Sequence, residues 1–209
     1  MRHDAKVRIM KCSTLKAVAL IVSLSAVPAL AGEFGNVNIR ACTWCHGVSA
    51  QGYAPAPRLA GQRSLYIQSQ LTSFAHHRRD NPFSRMYMWY AAANLNRESA
   101  RNLATYFASL SPEAANDGDK ALVGAGRTIY QQGVPNDNVA ACVACHGPRG
   151  QGIGEISRLG GLSYVYLQDR LRQWREGYDG AAKHPMPHVA SQLSAGQIQA
   201  LASYLSFLK

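Results

Sequence analysis

The sequence predicts an all-α protein made of two similar helical domains in tandem. Three observations lead there. A Cys-x-x-Cys-His-Gly segment occurs twice, as CTWCHG at 42–47 and CVACHG at 142–147. Further segments recur downstream of each copy in the same order. The apolar residues between them return at helical spacing, and no stretch alternates apolar and polar as a half-buried strand would.

The elements can be justified in chain order. Residues 1–31 read as a signal peptide. Arg2, Lys6, Arg8, Lys11 and Lys16 stand against one acid, Asp4, and AVALIVSLSAV at 17–27 is apolar but too short to span a bilayer. Ala29 and Ala31 flank Leu30 as an A-x-A cleavage site. The alternative is a retained N-terminal anchor. Cleavage removes Met1, Met10 and Cys12, so the exported chain keeps four cysteines, all inside the two motifs, and three methionines, Met86, Met88 and Met186. The first domain then spans 32–111. A linker containing Pro112, Glu113, Asp117 and Gly118 covers 112–118, and the second domain spans 119–209.

Inside the first domain a short lead from Phe34 to Ala41 precedes the motif; in the second an additional helix is expected over about Asp119 to Gln132. RLAG at 58–61 recurs as RLGG at 158–161, and LYIQSQL at 65–71 as VYLQDRL at 165–171. These predict matching amphipathic helices, with Leu65, Ile67, Leu71 and Phe74 facing inward in one and Val165, Leu167, Leu171 and Trp174 in the other. MWYAAANL at 88–95 answers MPHVASQL at 186–193, each read as a methionine loop. ATYFASL at 104–110 answers ASYLSFL at 202–208, predicting closing helices over Ser99–Leu110 and Ala195–Leu208.

The whole chain carries 22 Lys and Arg against 12 Asp and Glu. Without the signal segment the balance is 17 against 11, and it is uneven: eight against three over 32–111, nine against eight over 112–209. A basic surface suits nucleic acid, anionic lipid or an acidic protein. Export and the lack of a basic tract speak against nucleic acid.

The duplicated motif admits three chemistries. Cys-x-x-Cys-His attaches c-type haem: two thiols on one helical turn add to the vinyl groups of one porphyrin edge, and the following histidine reaches iron. Four cysteines could also build one zinc site, and a Cys-x-x-Cys pair can cycle as a disulfide, usually in a βαβ setting. Zinc leaves both His-Gly pairs and the repeated methionine segment unused, and no βαβ pattern is present. Haem uses all of them, and a large apolar cofactor also supplies the core that domains of this size lack.

Each iron then needs a sixth ligand. Methionine is soft and neutral, and a Met/His pair raises the reduction potential. The repeat selects Met88, seven residues before Leu95, and Met186, seven before Leu193; Met86 has no counterpart. Tyr66 and Tyr166 occupy matching positions suited to bonds across a domain interface or to haem carboxylates. His76, His77, Arg78 and Arg79 form a basic cluster, readable as a docking patch or as a solvated face.

Both CxxCHG motifs, the RLAG-Q segment with Tyr66, the methionine seven before a leucine and the closing A-x-Y helices resemble the dihaem cytochrome c4 family over nearly the whole exported chain. The resemblance implies two class I cytochrome c domains in the periplasm, each wrapped around a covalent haem c. It implies attachment at Cys42 and Cys45 with His46 and Met88 axial, and at Cys142 and Cys145 with His146 and Met186 axial. Two filled coordination spheres suit an electron carrier rather than an enzyme. The implied partners are a terminal oxidase and a quinol-side complex or copper protein, with loose association to the membrane surface. The alternatives are a dihaem enzyme of the peroxidase or thiosulfate-oxidising type, or a tightly bound electron-entry subunit of an oxidase. One departure stands out: Pro57 precedes the first RLxG segment, but Ser157 precedes the second.

Overall fold

The computed structural model describes residues 38–180 and 184–209. Residues 1–31, read above as a signal peptide, and the start of the lead from Phe34 lie outside the described residues. Among the described residues the fold is helical, with only isolated bridges pairing Tyr53 with Ala56, Val134 with Val139 and Ile153 with Ile156. No helix among them is long and apolar enough to cross a membrane.

The first half contains α1 (Ile39–His46), α2 (Ser64–Ala75), a π-helical turn over Ser84–Met88 that runs into α3 (Trp89–Ala92), and α4 (Arg97–Ser109). The second contains α5 (Val123–Gln132), α6 (Val143–His146), α7 (Tyr164–Arg175), α8 (Met186–Ser191) and α9 (Ala195–Phe207). Local chemistry sets the boundaries. The Asn38 side chain accepts from the Arg40 amide at 3.1 Å and opens α1. The Asn96 side chain accepts from the Ser99 amide at 2.8 Å, so α4 begins before Ser99, where sequence alone placed it. Ser194 and Gln197 form a reciprocal capping box that opens α9.

Each half has its own apolar core. In the first, Ile67 of α2 meets Leu103, Ala104 and Phe107 of α4. In the second, Leu167 and Leu171 of α7 meet Ile198, Leu201 and Leu205 of α9, with Tyr130 of α5 wholly buried. Leu65 and Val165 do not join these cores; both are exposed. A helix turns about 100° per residue, so positions two apart lie on nearly opposite sides. The inward lines are therefore Ile67, Leu71 and Phe74, and Leu167, Leu171 and Trp174.

The two methionine segments are helical rather than loops. Arg79 and Asp179 stand one hundred residues apart, but Met88 and Met186 only 98, so the first half has two more residues in between. It takes up this stretch in a π-helical turn, whose wider winding accommodates extra residues within a helix.

Helix α5 lies close against α9 because Gly126 has no side chain. A Cβ at Gly126 would collide with the Ala200 carbonyl oxygen, which is backbone and cannot swing aside, and with Tyr204; a Cβ at Gly124 would meet nothing within 4 Å. Gly126→Ala should therefore cost about 1–3 kcal/mol. Gly124→Ala should be neutral or gain up to about 1 kcal/mol through helix propensity. Denaturant melts of the two variants check the pair; equal effects would contradict this packing.

The repeated RLxG segments join the halves reciprocally. Arg58 donates to the Gly161 carbonyl at 2.8 Å and to that of Gly160 at 2.7 Å, while Arg158 donates to the Gly61 carbonyl at 3.0 Å. Gln62 adds a two-point contact: it donates to the Arg158 carbonyl at 3.0 Å and accepts from the Arg158 amide at 2.7 Å. Burial, then the charge of Arg158, lowers the Arg58 guanidinium to about 10, still charged at neutral pH.

The segment read as a linker is stitched down along its length. Gln51 donates to the Ser111 carbonyl and accepts from the Glu113 amide, each at 2.9 Å; the Ala115 amide donates to Gly161 and that of Asn116 to Ser206. Asp117 accepts from the Tyr164 amide and the Ser163 hydroxyl, each at 2.8 Å, and so caps the start of α7.

Candidate functional site

In each half a short helix, with its flanking residues, presents the motif. Helix α1 carries Cys42, Cys45 and His46 and stops at Gly47, whose φ of +83° is left-handed; Cys142 adjoins α6, which carries Cys145 and His146 and stops at Gly147, with φ +78°. Positions four apart share a helix face, so Cys42 and His46, and likewise Cys142 and His146, project together. The histidines are sunk, at 7% and 8% exposure, and the second cysteine of each pair is exposed.

The histidines are also oriented alike. His46 Nδ1 lies 2.7 Å from the Pro57 carbonyl, and His146 Nδ1 lies 2.9 Å from that of Ser157. A carbonyl can only accept, so Nδ1 carries the proton in both rings and Nε2 keeps its lone pair for a metal. Burial lowers both imidazole pKa values; the carbonyl bonds work against it, and the charge of Arg79 adds to the lowering at His46. The ring that results is neutral and ligating. The Ser157 departure does not disturb this arrangement, because the contact is made by a backbone carbonyl that any residue supplies.

Cys42 and Cys142 are half-buried, and Cys45 and Cys145 are exposed. Burial first, then Cys45, raises the Cys42 thiol; burial pushes Cys142 up to about 11. Cys42 packs against the first core and Cys142 against the second. Among the described residues no three His, Cys, Asp or Glu side chains converge to hold a metal ion. The two cysteine pairs each stand with a separate core.

The methionines separate by burial. Met186 opens α8, is half-buried, and packs against the same core as Cys142. Met88 closes the π-helical turn and is half-buried, while Met86 in the same turn is 60% exposed. Buried Asn81 and Ser84 fix the start of that turn, the Asn81 amide donating to Ser84 Oγ at 2.7 Å. Each half thus brings together two thiols and one oriented, neutral imidazole, and in the second half Met186 packs on the same core as Cys142.

Between the halves lies a polar seam that sequence reasoning largely missed. Arg79 belongs to the first half, yet it is buried, donating to Gln70 at 2.8 Å and across the seam to the Tyr166 hydroxyl at 3.2 Å. It cannot serve as a docking residue, contrary to one reading of the His76–Arg79 cluster. His77 is occupied as well, stacked on Trp89 with ring centroids 3.8 Å apart, and the Trp89 indole donates to the Arg79 carbonyl at 2.8 Å. Asp179 is the hub. Its carboxylate accepts from Arg170 at 2.6 Å and, across the seam, from the amides of Asp80 at 2.7 Å and Asn81 at 3.2 Å. Asp80 returns the bond, accepting from the Asp179 amide at 2.7 Å. The matching positions of Arg79 and Asp179 in the two repeats were the available signal.

Comparison with known proteins bears on this duplicated arrangement. The family model described as Cytochrome c matches twice, over residues 37–111 and 123–209. A cytochrome c-552 of Acidithiobacillus ferridurans is 35% identical over 170 residues, covering 80% of this chain and 73% of that protein. The thiosulfate dehydrogenase electron acceptor of Stutzerimonas stutzeri is 36% identical, covering 82% of this chain and 80% of the relative. The solved structure of cytochrome c4 from Acidithiobacillus ferrooxidans superposes with a TM-score of 0.74 at 34% identity, over 81% of this chain and 99% of that one. The chain belongs to the dihaem cytochrome c4 family. Its fold is a tandem of class I cytochrome c domains, and domains of this kind bind haem c covalently. Like its cytochrome c4 relatives it is a periplasmic electron carrier between redox proteins.

Proposed function

We propose that this cytochrome c4-family chain carries two covalent haem c groups and relays electrons from a sulfur-oxidising donor toward a terminal oxidase. Removal of 1–31 would leave a first domain over 32–111, a linker over 112–118 and a second domain over 119–209. Cys42 and Cys45 would hold one haem, with His46 and Met88 as the residues offered to its iron; Cys142 and Cys145 would hold the other, with His146 and Met186. When bound, each haem supplies a one-electron ferric/ferrous couple. The chain's own residues do the rest. The Pro57 and Ser157 carbonyls hold the two imidazoles in the ligating tautomer. Burial shields both imidazoles from bulk water, and neutral thioethers would favour the ferrous form of a bound haem.

The observation that carries this reading is the duplicated geometry itself: a thiol pair and a buried, carbonyl-oriented histidine on one short helix, twice. For the donor, the support is the relative named as a thiosulfate dehydrogenase electron acceptor. A quinol-side complex or a copper protein is the alternative donor. Intact mass of the exported, denatured protein tests the cofactor assignment. The expected mass is residues 32–209 plus two haems, because thioether bonds survive unfolding. A single haem, or bound zinc, would overturn it.

A further inference from the structure

Helix α1 displays a feature that the repeat does not copy. At about 100° per residue, Trp44 lies about 160° around the helix from both Cys42 and His46, so it points away from the side that these two share. Trp44 is 87% exposed, and Val48, just beyond Gly47, is 94% exposed. Arg40 is exposed four residues before Trp44, on the same helical line, and Cys45 is exposed beside it. The corresponding residues of the second half are Ala140, Ala144 and Pro148, all exposed and all small. The two halves preserve the thiols, the histidine and the RLxG segment, yet only the first bears an arginine, an indole and a valine on this outer line.

The charge around it is one-sided. Residues 38–79 contain five arginines and no aspartate or glutamate. Arg58 and Arg79 are buried at the seam, leaving Arg40, Arg63 and Arg78 at the surface. An exposed tryptophan followed four residues later by a bare valine marks a surface suited to a partner, and tryptophan and arginine are the residues that dominate binding energy at such places.

We infer that Arg40, Trp44 and Val48 form the docking surface for a redox protein whose contact face is apolar and ringed by carboxylates. This rests on the electron-carrier reading above, in which Cys45 beside Trp44 is an attachment residue. The first half is then the end through which electrons are exchanged with that partner, one per encounter. The second half, with Ala140, Ala144 and Pro148, lacks the anchor.

The test uses the holoprotein, oxidised, mixed in stopped flow with a reduced acidic blue-copper protein as the probe donor. Copper(I) becomes copper(II) as one ferric haem becomes ferrous. Trp44→Ala should lower the second-order rate constant about tenfold. Arg40→Glu should lower it at low salt and flatten its salt dependence, while Ala144→Asp should change nothing. Haem content and spectra stay those of the parent in all three; their loss would indict the ligand assignment, not the docking surface. Rates unmoved by Trp44→Ala and Arg40→Glu would overturn the inference, as would an equal loss in Ala144→Asp. So would a Trp44→Ala variant with an unchanged rate that no longer binds anionic phospholipid vesicles, or no longer self-associates in sedimentation, since the surface would then serve a membrane or a second copy.

Discussion

Asp179→Ala is expected to destabilise the protein by about 3–5 kcal/mol, the usual cost of removing one partner from a buried ion pair. Asp179 is almost wholly enclosed, and it answers Arg170 while accepting two backbone amides from the other half. Without it, Arg170 keeps Gln173 at 2.8 Å, Arg79 keeps Gln70 and Tyr166, and the seam holds two buried guanidiniums with no carboxylate between them. The backbone adds to the loss: Asp179 has φ +62°, a region that aspartate and asparagine tolerate better than alanine. Asp179→Asn keeps that tolerance and one acceptor, so its loss should be smaller. The combination Arg170→Met with Asp179→Leu should recover part of the stability, because it removes both charges together.

The same residue predicts a dependence on pH. Burial alone would raise the Asp179 carboxyl, but Arg170, by charge and hydrogen bond, and then Arg79 outweigh it and hold it below the ordinary carboxylate value. A depressed folded-state pKa means that the contribution is fully present above the unfolded value, about 3.9. It is lost as pH falls through the lower folded value. Denaturant melts between neutral pH and pH 3 should therefore show a steeper acid loss in the parent than in Asp179→Ala. A parent and variant that differ by less than about 1 kcal/mol at neutral pH would rule out this role.

What the sequence disclosed and what it hid divide along a physical line. The thiols, the histidines and the closing helices were legible because their logic is local: a motif of five residues, a cap, a helical period. For the methionines the duplication supplied a reference of its own, which is the basis for proposing Met88 rather than Met86. The seam was not. Arg58 meets Gly161, Gln62 meets Arg158 and Asp179 meets Asp80, partners 96 to 103 residues apart whose side chains read as surface groups. Arg79 looked like a member of a basic patch because charge normally implies solvent, and only a partner from the other half makes its burial affordable. Leu65 and Val165 failed differently: residues two apart were assigned to one face that helical geometry cannot give them. The Ser157 departure changes little, because the histidine there is held by a backbone carbonyl, which residue identity barely affects.

The ligand pair gives the largest spectroscopic effect. In the oxidised holoprotein, Met88→Ala and Met186→Ala are each expected to remove the absorption due to one methionine–iron bond, and Met86→Ala to remove none. The burial pattern motivates the contrast: Met88 and Met186 are sheltered at the ends of their helical segments, whereas Met86 stands in solvent within the same π-helical turn as Met88. Each loss should also lower the potential of the opened site, on the order of 100 mV, since the thioether that favours ferrous iron is gone and axial ligation spans several hundred millivolts across haem proteins. The opposite half should keep its own value to within the coupling between the sites. Spectra and a two-step redox titration of the three variants decide the matter. A band lost in Met86→Ala and kept in Met88→Ala would exchange the two residues, and would mean that the π-helical turn rewinds when the first domain takes up its haem.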